Sequence, residues 1–320
     1  MQSLIRILCF LGSLWAVVAQ SQPFPSRTIT LVTPFPPGAS TDAVARLLRD
    51  GLSQKLRETV IVENRGGAGG TTGAAFVAKA DPDGYTLLVT VSAPVTMNKF
   101  MQRNFPFDPA TAFTPVSLLA ESALFLAVNP SLPVTTVTEF IDYARKNPGK
   151  LAYGSAGIGS AHHIAGELLK KKTGIDMVHV PFPGGGPAIQ NLIANHISVS
   201  FGTAPAVLPH ADAGNIRVIA TTRATRLPDR PLIPAINETV PGVETITWVG
   251  LFAPAGTPQA VIDTLNAATR DVIANSDLIE KFKSQGMTAV ASSSAELSQR
   301  VTRELKMWAE IIPSIGIAAE

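Results

Sequence analysis

The chain has one cysteine, little charge and no long apolar run beyond its first twenty residues. Charged residues make 16% of 320 positions, below the roughly 25% of an average soluble domain. Lys and Arg number 26 against 24 Asp and Glu, a formal net charge of +2. The longest basic run is Lys170-Lys171-Lys172. A nucleic-acid surface needs clustered cations, so no nucleic-acid partner is expected. A hydrophobic fraction of 46% excludes a disordered chain. Solenoid repeats are absent. What is present in slight excess is turn chemistry: 25 Gly and 25 Pro.

Residues 1–19 read as a targeting segment. Arg6 supplies a positive start, Ile7 to Val18 is apolar, and Val17-Val18-Ala19 sets small residues at a cleavage site. The pattern predicts a secretory signal peptide cleaved after Ala19, leaving 301 residues from Gln20. The apolar run is too short for a stable anchor. Cys9 lies inside the removed part, and bulky Leu8 before it makes it a poor lipid-attachment site. The mature chain then has no disulfide, no thiol nucleophile and no cysteine metal site. No later stretch is long and apolar enough to span a bilayer, so an exported protein without a membrane anchor is expected.

Short β-rich runs alternate with helical periods. Thr28 to Thr33, Val60 to Val62 and Tyr85 to Val91 read as strands, with helices over 44–56 and 71–80 between them. A second series follows: a helix opened by the Thr136…Glu139 capping box, a strand at Leu151 to Gly154, a helix from Ser160 to Thr173 closed by Gly174, and a strand at Met177 to Val180. Ala188 to Asn195 reads as helix, Ile197 to Phe201 and Ile216 to Thr221 as strands. The last third is mostly helical, with Thr257 as N-cap before Pro258 and a capping box at Ser293…Glu296. The fold class is α/β, with parallel βαβ units in two series. Two extended, Pro-ended stretches, 127–130 and Trp248 to Pro254, are candidate crossings between two lobes. The expected lobes are 24–128 plus 249–320, and 129–248.

Three Gly-rich loops free of Lys and Arg each join a strand to a helix: Pro34 to Asp42, Gly154 to Ser160 and Pro181 to Pro187. Loops at the carboxyl ends of strands form the ligand crevice of an open α/β sheet. Backbone N–H groups and the helix dipole there favour a bound carboxylate. Each loop could equally be a tight turn and nothing more; the case rests on three of them.

Catalytic templates do not fit. Tyr153 stands where a nucleophile elbow around Ser155 needs glycine, and neither a phosphate loop nor a His-Glu-x-x-His run occurs. His162 and His163 are helix neighbours about 100° apart and cannot easily share a metal. His162 is either a satisfied polar histidine or a donor to a ligand. Arg65 is either a carboxylate fork or a loop-packing residue, and Asp42 reads as a brace at a helix start. The alternative function is an exported hydrolase or transferase using Ser155 or Ser160 with His162. Ser160 and His162 sit two apart, so their side chains diverge.

The motifs Pro34-Phe-Pro-Pro-Gly-Ala-Ser-Thr-Asp42, Val62-Glu-Asn-Arg65, Asp83-Gly-Tyr-Thr-Leu87, Phe113-Thr-Pro-Val116, Asn147-Pro-Gly-Lys-Leu151, Gly154-Ser-Ala-Gly157, Val178-His-Val-Pro181 and Gly250 to Pro258 occur in order across the mature chain. This set resembles the Bug-type substrate-binding proteins of tripartite tricarboxylate transport systems. The resemblance implies a two-lobe periplasmic-binding-protein fold of the Venus-flytrap kind, with crossing hinge strands. It also implies a monomer without cofactor or metal, binding a small organic carboxylate for a membrane permease or a sensor. The ligand loops it implies map to Phe35, Gly38, Ala39, Ser40 and Thr41, to Ser92, to Ser155, Gly157, Gly159 and Ser160, to Pro183, Gly184 and Gly185, and to Thr203; His162 joins them as a candidate donor on its position alone.

Three positions depart from the pattern. Ala39 replaces a common glycine, so its backbone must avoid left-handed angles or bear strain. Phe182-Pro183 replaces a common Tyr-Lys. Gly202 stands where an aspartate is common, removing an anchor for a ligand amine. A carboxylate with an apolar or aromatic body is therefore expected rather than an amino acid.

Overall fold

A computed structural model describes residues 24–227 and 230–314. The expected signal peptide and the mature start at Gln20 lie outside them.

The first βαβ run is β1 (Ile29–Thr33), α1 (Ser40–Leu56), β2 (Val60–Asn64), α2 (Thr71–Ala78), β3 (Thr86–Val91) and the short α3 (Ser92–Thr96). Val44, Ala45, Leu48, Leu52 and Leu56 recur on one face of α1 and are buried, as their spacing requires. A 16-residue strand, β4 (Phe113–Val128), follows. Then come α4 (Val137–Lys146), β5 (Leu151–Ser155), α5 (Ala161–Thr173), β6 (Met177–Pro181), α6 (Gly185–Ile193), β7 (Val199–Thr203), α7 (Ala204–Asp212), β8 (Arg217–Thr221) and α8 (Ile236–Thr239). The chain returns through β9 (Ile246–Pro254), α9 (Gln259–Ile273), α10 (Ser276–Ser284), β10 (Thr288–Ala289) and α11 (Ser294–Ser314).

The strands run β2-β1-β3-β9-β4-β7-β5-β6, with β8 and β10 also pairing β4. β1, β2 and β3 are parallel, as are β5, β6 and β7; β9 is antiparallel to β3 and to β4. β4 joins the two halves. Residues Phe113 to Ala123 pair β9, and Leu124 to Val128 pair β7 and β8. The exchange of partners falls between Ala123 and Leu124.

Each half has its own core. Ile29, Leu31, Leu48, Leu87 and Leu251 pack with Ile262 and Leu265 of α9 and Phe282 of α10. Leu126, Phe140, Tyr153, Leu169, Val199 and Phe201 form the second. A smaller cluster bridges them: Ile164 of α5 meets Ala93, Met97 and Met101, with Trp308 and Ile312 of α11.

Local capping agrees with the sequence in three places. Thr136 and Glu139 form the reciprocal box, Ser293 and Glu296 form another, and Ser160 caps α5 while Gly174 closes it at φ +70°. Thr257 is not an N-cap. Its hydroxyl donates to the Pro254 carbonyl at 2.8 Å, and Pro258 takes the cap position before Gln259. Helix α6 starts at Gly185, three residues before the expected Ala188, and β7 runs two residues past Phe201.

Candidate functional site

The pairing directions aim the strand ends at one another. β1 and β3 run with β4, so their carboxyl ends point toward Leu124. β5, β6 and β7 run against β4, so their carboxyl ends point back. Val91 is level with Val249, which is level with Ala120; Thr203 is level with Leu124. Four residues of β4 at about 3.3 Å each separate the two levels, a gap of about 13 Å along the strand. Five strand-to-helix junctions lie there, after β1, β3, β5, β6 and β7; β3 and β7 pass directly into α3 and α7.

The loop after β1 is held from below. Asp42 is 3% exposed and accepts from Gly38 N–H at 2.9 Å, Asn64 Nδ2 at 3.0 Å and Arg46 Nε at 3.0 Å. Burial alone would raise this carboxyl; the hydrogen bonds from Arg46, Gly38 and Asn64 outweigh it and hold it below the ordinary range. Asn64 also donates to Thr33 Oγ1 and to the Phe35 carbonyl. Gly38 turns the chain at φ +83°, and Ala39 keeps an extended backbone at φ −68° and ψ 161°, free of the strain a left-handed alanine would carry. Ala39 offers no capping side chain, so the first N–H groups of α1 have no intrahelical partner. The Phe35 ring packs beside Gly70 and Pro94.

Opposite, Ser155 and Ser160 spend their hydroxyls on protein partners, in their own loop and on β6 and α5. Ser155 Oγ lies 2.7 Å from His179 Nε2 and 3.1 Å from both Gly157 N and O. Ser160 Oγ caps His163 N–H at 3.2 Å and donates to the Gly157 carbonyl at 2.7 Å. What this loop offers a ligand is backbone: Gly157 at φ +115° and Gly159 at φ +77°, leading into α5. Gly185 opens α6 beside His162, whose Nε2 would lie 3.6 Å from a β-carbon there. Helices α6 and α7 also start without side-chain caps, after Gly184 and Thr203. Pro183 is exposed.

Six buried side-chain atoms, on five of the described residues, find no hydrogen-bond partner, and four of them belong to the first turns of α1, α3 and α5: Thr41 Oγ1, Ser92 Oγ and both nitrogens of His162. Burial lowers the His162 pKa to about 4, so the ring is neutral at pH 7 and keeps one N–H donor. A small cavity between Ser40 and Thr203 is lined by Ala120, Trp248, Val249 and Met287 with Ser122 and Thr247, and by Glu121, which is paired with Arg300. Among the described residues, no Lys or Arg lines it. The larger concavity, about 860 Å³, lies elsewhere, between α7, β8 and the 230–233 segment. Its cations are engaged: Arg217 bonds the Leu132 and Val134 carbonyls, and Arg230 bonds Asp212.

Arg65 is not at this gap's polar groups. Its guanidinium pairs with Glu63 and lies 3.6 Å over the Phe76 ring. The Gly202 position is crowded: a β-carbon would lie 2.6 Å from Val207 Cγ2 and 3.2 Å from Ile189 Cδ1. An aspartate there would displace core atoms. The Ser155–His179 pair was not visible in the sequence. Its one local signal is the parallel register that sets Tyr153 beside His179, and that register needs the sheet.

A family model for tripartite tricarboxylate transporter family receptors matches residues 44–317. The chain belongs to that family. BugT of Bordetella pertussis is 31% identical over 321 residues, covering 98% of each chain. A solved R. palustris protein with adipate is 35% identical at a TM-score of 0.87, covering 93% of this chain and all of the other. MatC from Rhodopseudomonas palustris with bound malate is 32% identical at a TM-score of 0.83, covering 90% and 100%. The fold of this receptor is the α/β architecture of the periplasmic binding proteins, and the resemblance read from the ordered motifs holds across the chain.

Proposed function

We propose that this receptor is exported by cleavage after Ala19, binds a small organic carboxylate without catalysis, and delivers it to a permease of the tripartite tricarboxylate type. The observation that carries the site is the set of buried, unpartnered polar atoms on Thr41, Ser92 and His162, contributed by both sides of one gap. A carboxylate is the group they suit. It accepts from two hydroxyls, a neutral imidazole N–H and the uncapped N–H groups of α1, with no cation required. The adipate and malate of the two R. palustris proteins support the same class. The two halves of the sheet act as lobes, hinged where β4 and β9 cross, so that closure brings both sets of groups to one ligand. The apolar lining at Ala120, Trp248, Val249 and Met287 and the crowded Gly202 favour a ligand with an apolar body and no amine.

The hydrolase reading needs a reachable Ser–His pair. His162 meets neither serine, and Ser155, which does meet a histidine, is 0% exposed.

The test is a thermal-shift screen of the mature protein from Gln20 against organic acids. An acid at about 100 times its dissociation constant adds about 2.7 kcal/mol of stability if it binds only the native state. Organic acids that leave the transition unchanged, while amino acids or sugars raise it, would overturn the reading.

A further inference from the structure

The rings of His163 and His179 stack at 3.8 Å with an interplanar angle of 7°, and Tyr153 stacks on His179 at 4.9 Å. They come from three elements, α5, β6 and β5. Each histidine also holds one point of the Ser155–Ser160 loop. Gly159 N–H donates to His163 Nδ1 at 3.2 Å, so that ring keeps its proton on Nε2. His179 Nε2 bonds Ser155 Oγ at 2.7 Å. The Tyr153 hydroxyl donates to Glu167 at 2.6 Å, and Lys170 Nζ donates to the same oxygen at 2.9 Å. A β-carbon on Gly166 would lie 2.3 Å from the Tyr153 ring, so α5 can sit this low on the stack only with glycine there.

We propose that His163 and His179 are positioning residues that fix the Ser155–Ser160 loop through their ring nitrogens without touching the ligand. The loop's purpose, presenting backbone N–H groups to a carboxylate, rests on the function proposed above; the coupling of rings to loop stands on contacts within the protein alone. Gly157 and Gly159 adopt left-handed angles and have wide conformational freedom. A loop of this composition holds one shape only if something outside it over-determines that shape, and the two ring nitrogens are the side-chain partners it has on β6 and within α5. Burial keeps both rings neutral: it lowers His163 to about 3, with His179 and Lys170 adding to the effect, and His179 to about 4, where Glu167 opposes and Lys170 assists. Both bonds therefore persist unchanged across the neutral range.

The experiment is amide hydrogen exchange on the full mature protein without added ligand, comparing peptides that cover 154–161 with peptides from β4. His163→Phe and His179→Phe keep an aromatic stack and remove the nitrogen. His163→Asn and His179→Gln place an amide oxygen or nitrogen near the lost position. The expected result is tenfold or greater acceleration confined to 154–161 in the Phe variants, with partial return of protection in the amide variants. Loop exchange equal to wild type in both Phe variants overturns the proposal. So does acceleration spread equally over β4, or no rescue by either amide, since the rings would then act only as core. Because no ligand is present, failure here is separate from failure of the carboxylate reading.

Discussion

Asp42 and three histidines, His163 buried and His162 and His179 half-buried, contribute to the pH dependence. Asp42 has a folded pKa below its free value, so its contribution is present above about pH 4 and is lost as pH falls through the folded pKa. His162, His163 and His179 are also depressed, to about 4, 3 and 4, by burial in each case. An unfolded histidine takes up its proton near pH 6.5, whereas these do so only near 3–4. The unfolded chain therefore binds more protons between those values, and stability declines as pH falls from about 6.5 toward 4. Denaturant midpoints at pH 7, 5.5 and 4.5 should fall in that order, and His162→Phe should flatten the slope. Equal midpoints at pH 7 and 4.5 would refute the buried, neutral assignment. At the same scale, Ser160→Ala removes a cap and should cost about 0.5–2 kcal/mol of stability. Asp42 as a brace was legible in sequence because its partner Gly38 is four residues away. The Ser155–His179 bond was not, because 24 residues and a sheet register separate the partners.

Several helix ends carry local signals that the sequence shows, whereas the long strand β4 is specified by burial and register. The capping boxes of α4 and α11 and the Gly174 stop of α5 are written in neighbouring residues. β4 is different. It is buried almost throughout, contains Pro115 and Glu121, and shifts register twice against β9, so no period of two survives in FTPVSLLAESALFLAV. Only its end, at 127–128, was read as a crossing. The start of α6 was missed because Gly185, Gly186 and Pro187 look like loop; Pro is tolerated in a first turn, where no N–H is needed. Close approach of α5 to β5 gives an element-scale prediction. Gly166→Ala puts a methyl 2.3 Å from a buried tyrosine ring and should lower stability by about 1–3 kcal/mol, the range for overpacking. Thermal unfolding checks it; an unchanged midpoint would mean that α5 can lift off Tyr153 without loss.

Across the molecule, the two halves already touch. Ile164 packs among Met97 and Met101, and a β-carbon on Gly159 would meet the Met101 side chain at 2.7 Å. Opening the gap would expose this cluster. The hinge account predicts that a bound acid draws the two halves together, with a smaller radius of gyration in solution scattering when ligand is added. Superimposable curves with and without a confirmed ligand would count against hinged lobes. The α/β series and the return of the last helices toward β1 were legible from element order; the place where β4 changes partners was not, since Ala123 and Leu124 are both buried and neither is a turn residue.

The central claim is that the ligand carboxylate is held by hydroxyls, a neutral histidine and backbone N–H groups, not by an arginine. Titration calorimetry with the acid that gives the largest thermal shift tests it directly, on wild type, Thr41→Ala, Ser92→Ala and Arg65→Ala. Each hydroxyl deletion should weaken binding by roughly 1–3 kcal/mol, the range for a buried polar group left unpaired. Arg65→Ala should leave the affinity within a factor of about two, because its guanidinium is engaged with Glu63 and Phe76. Loss of binding in a well-folded Arg65→Ala, with both hydroxyl deletions neutral, would contradict the account and put an arginine clamp in its place.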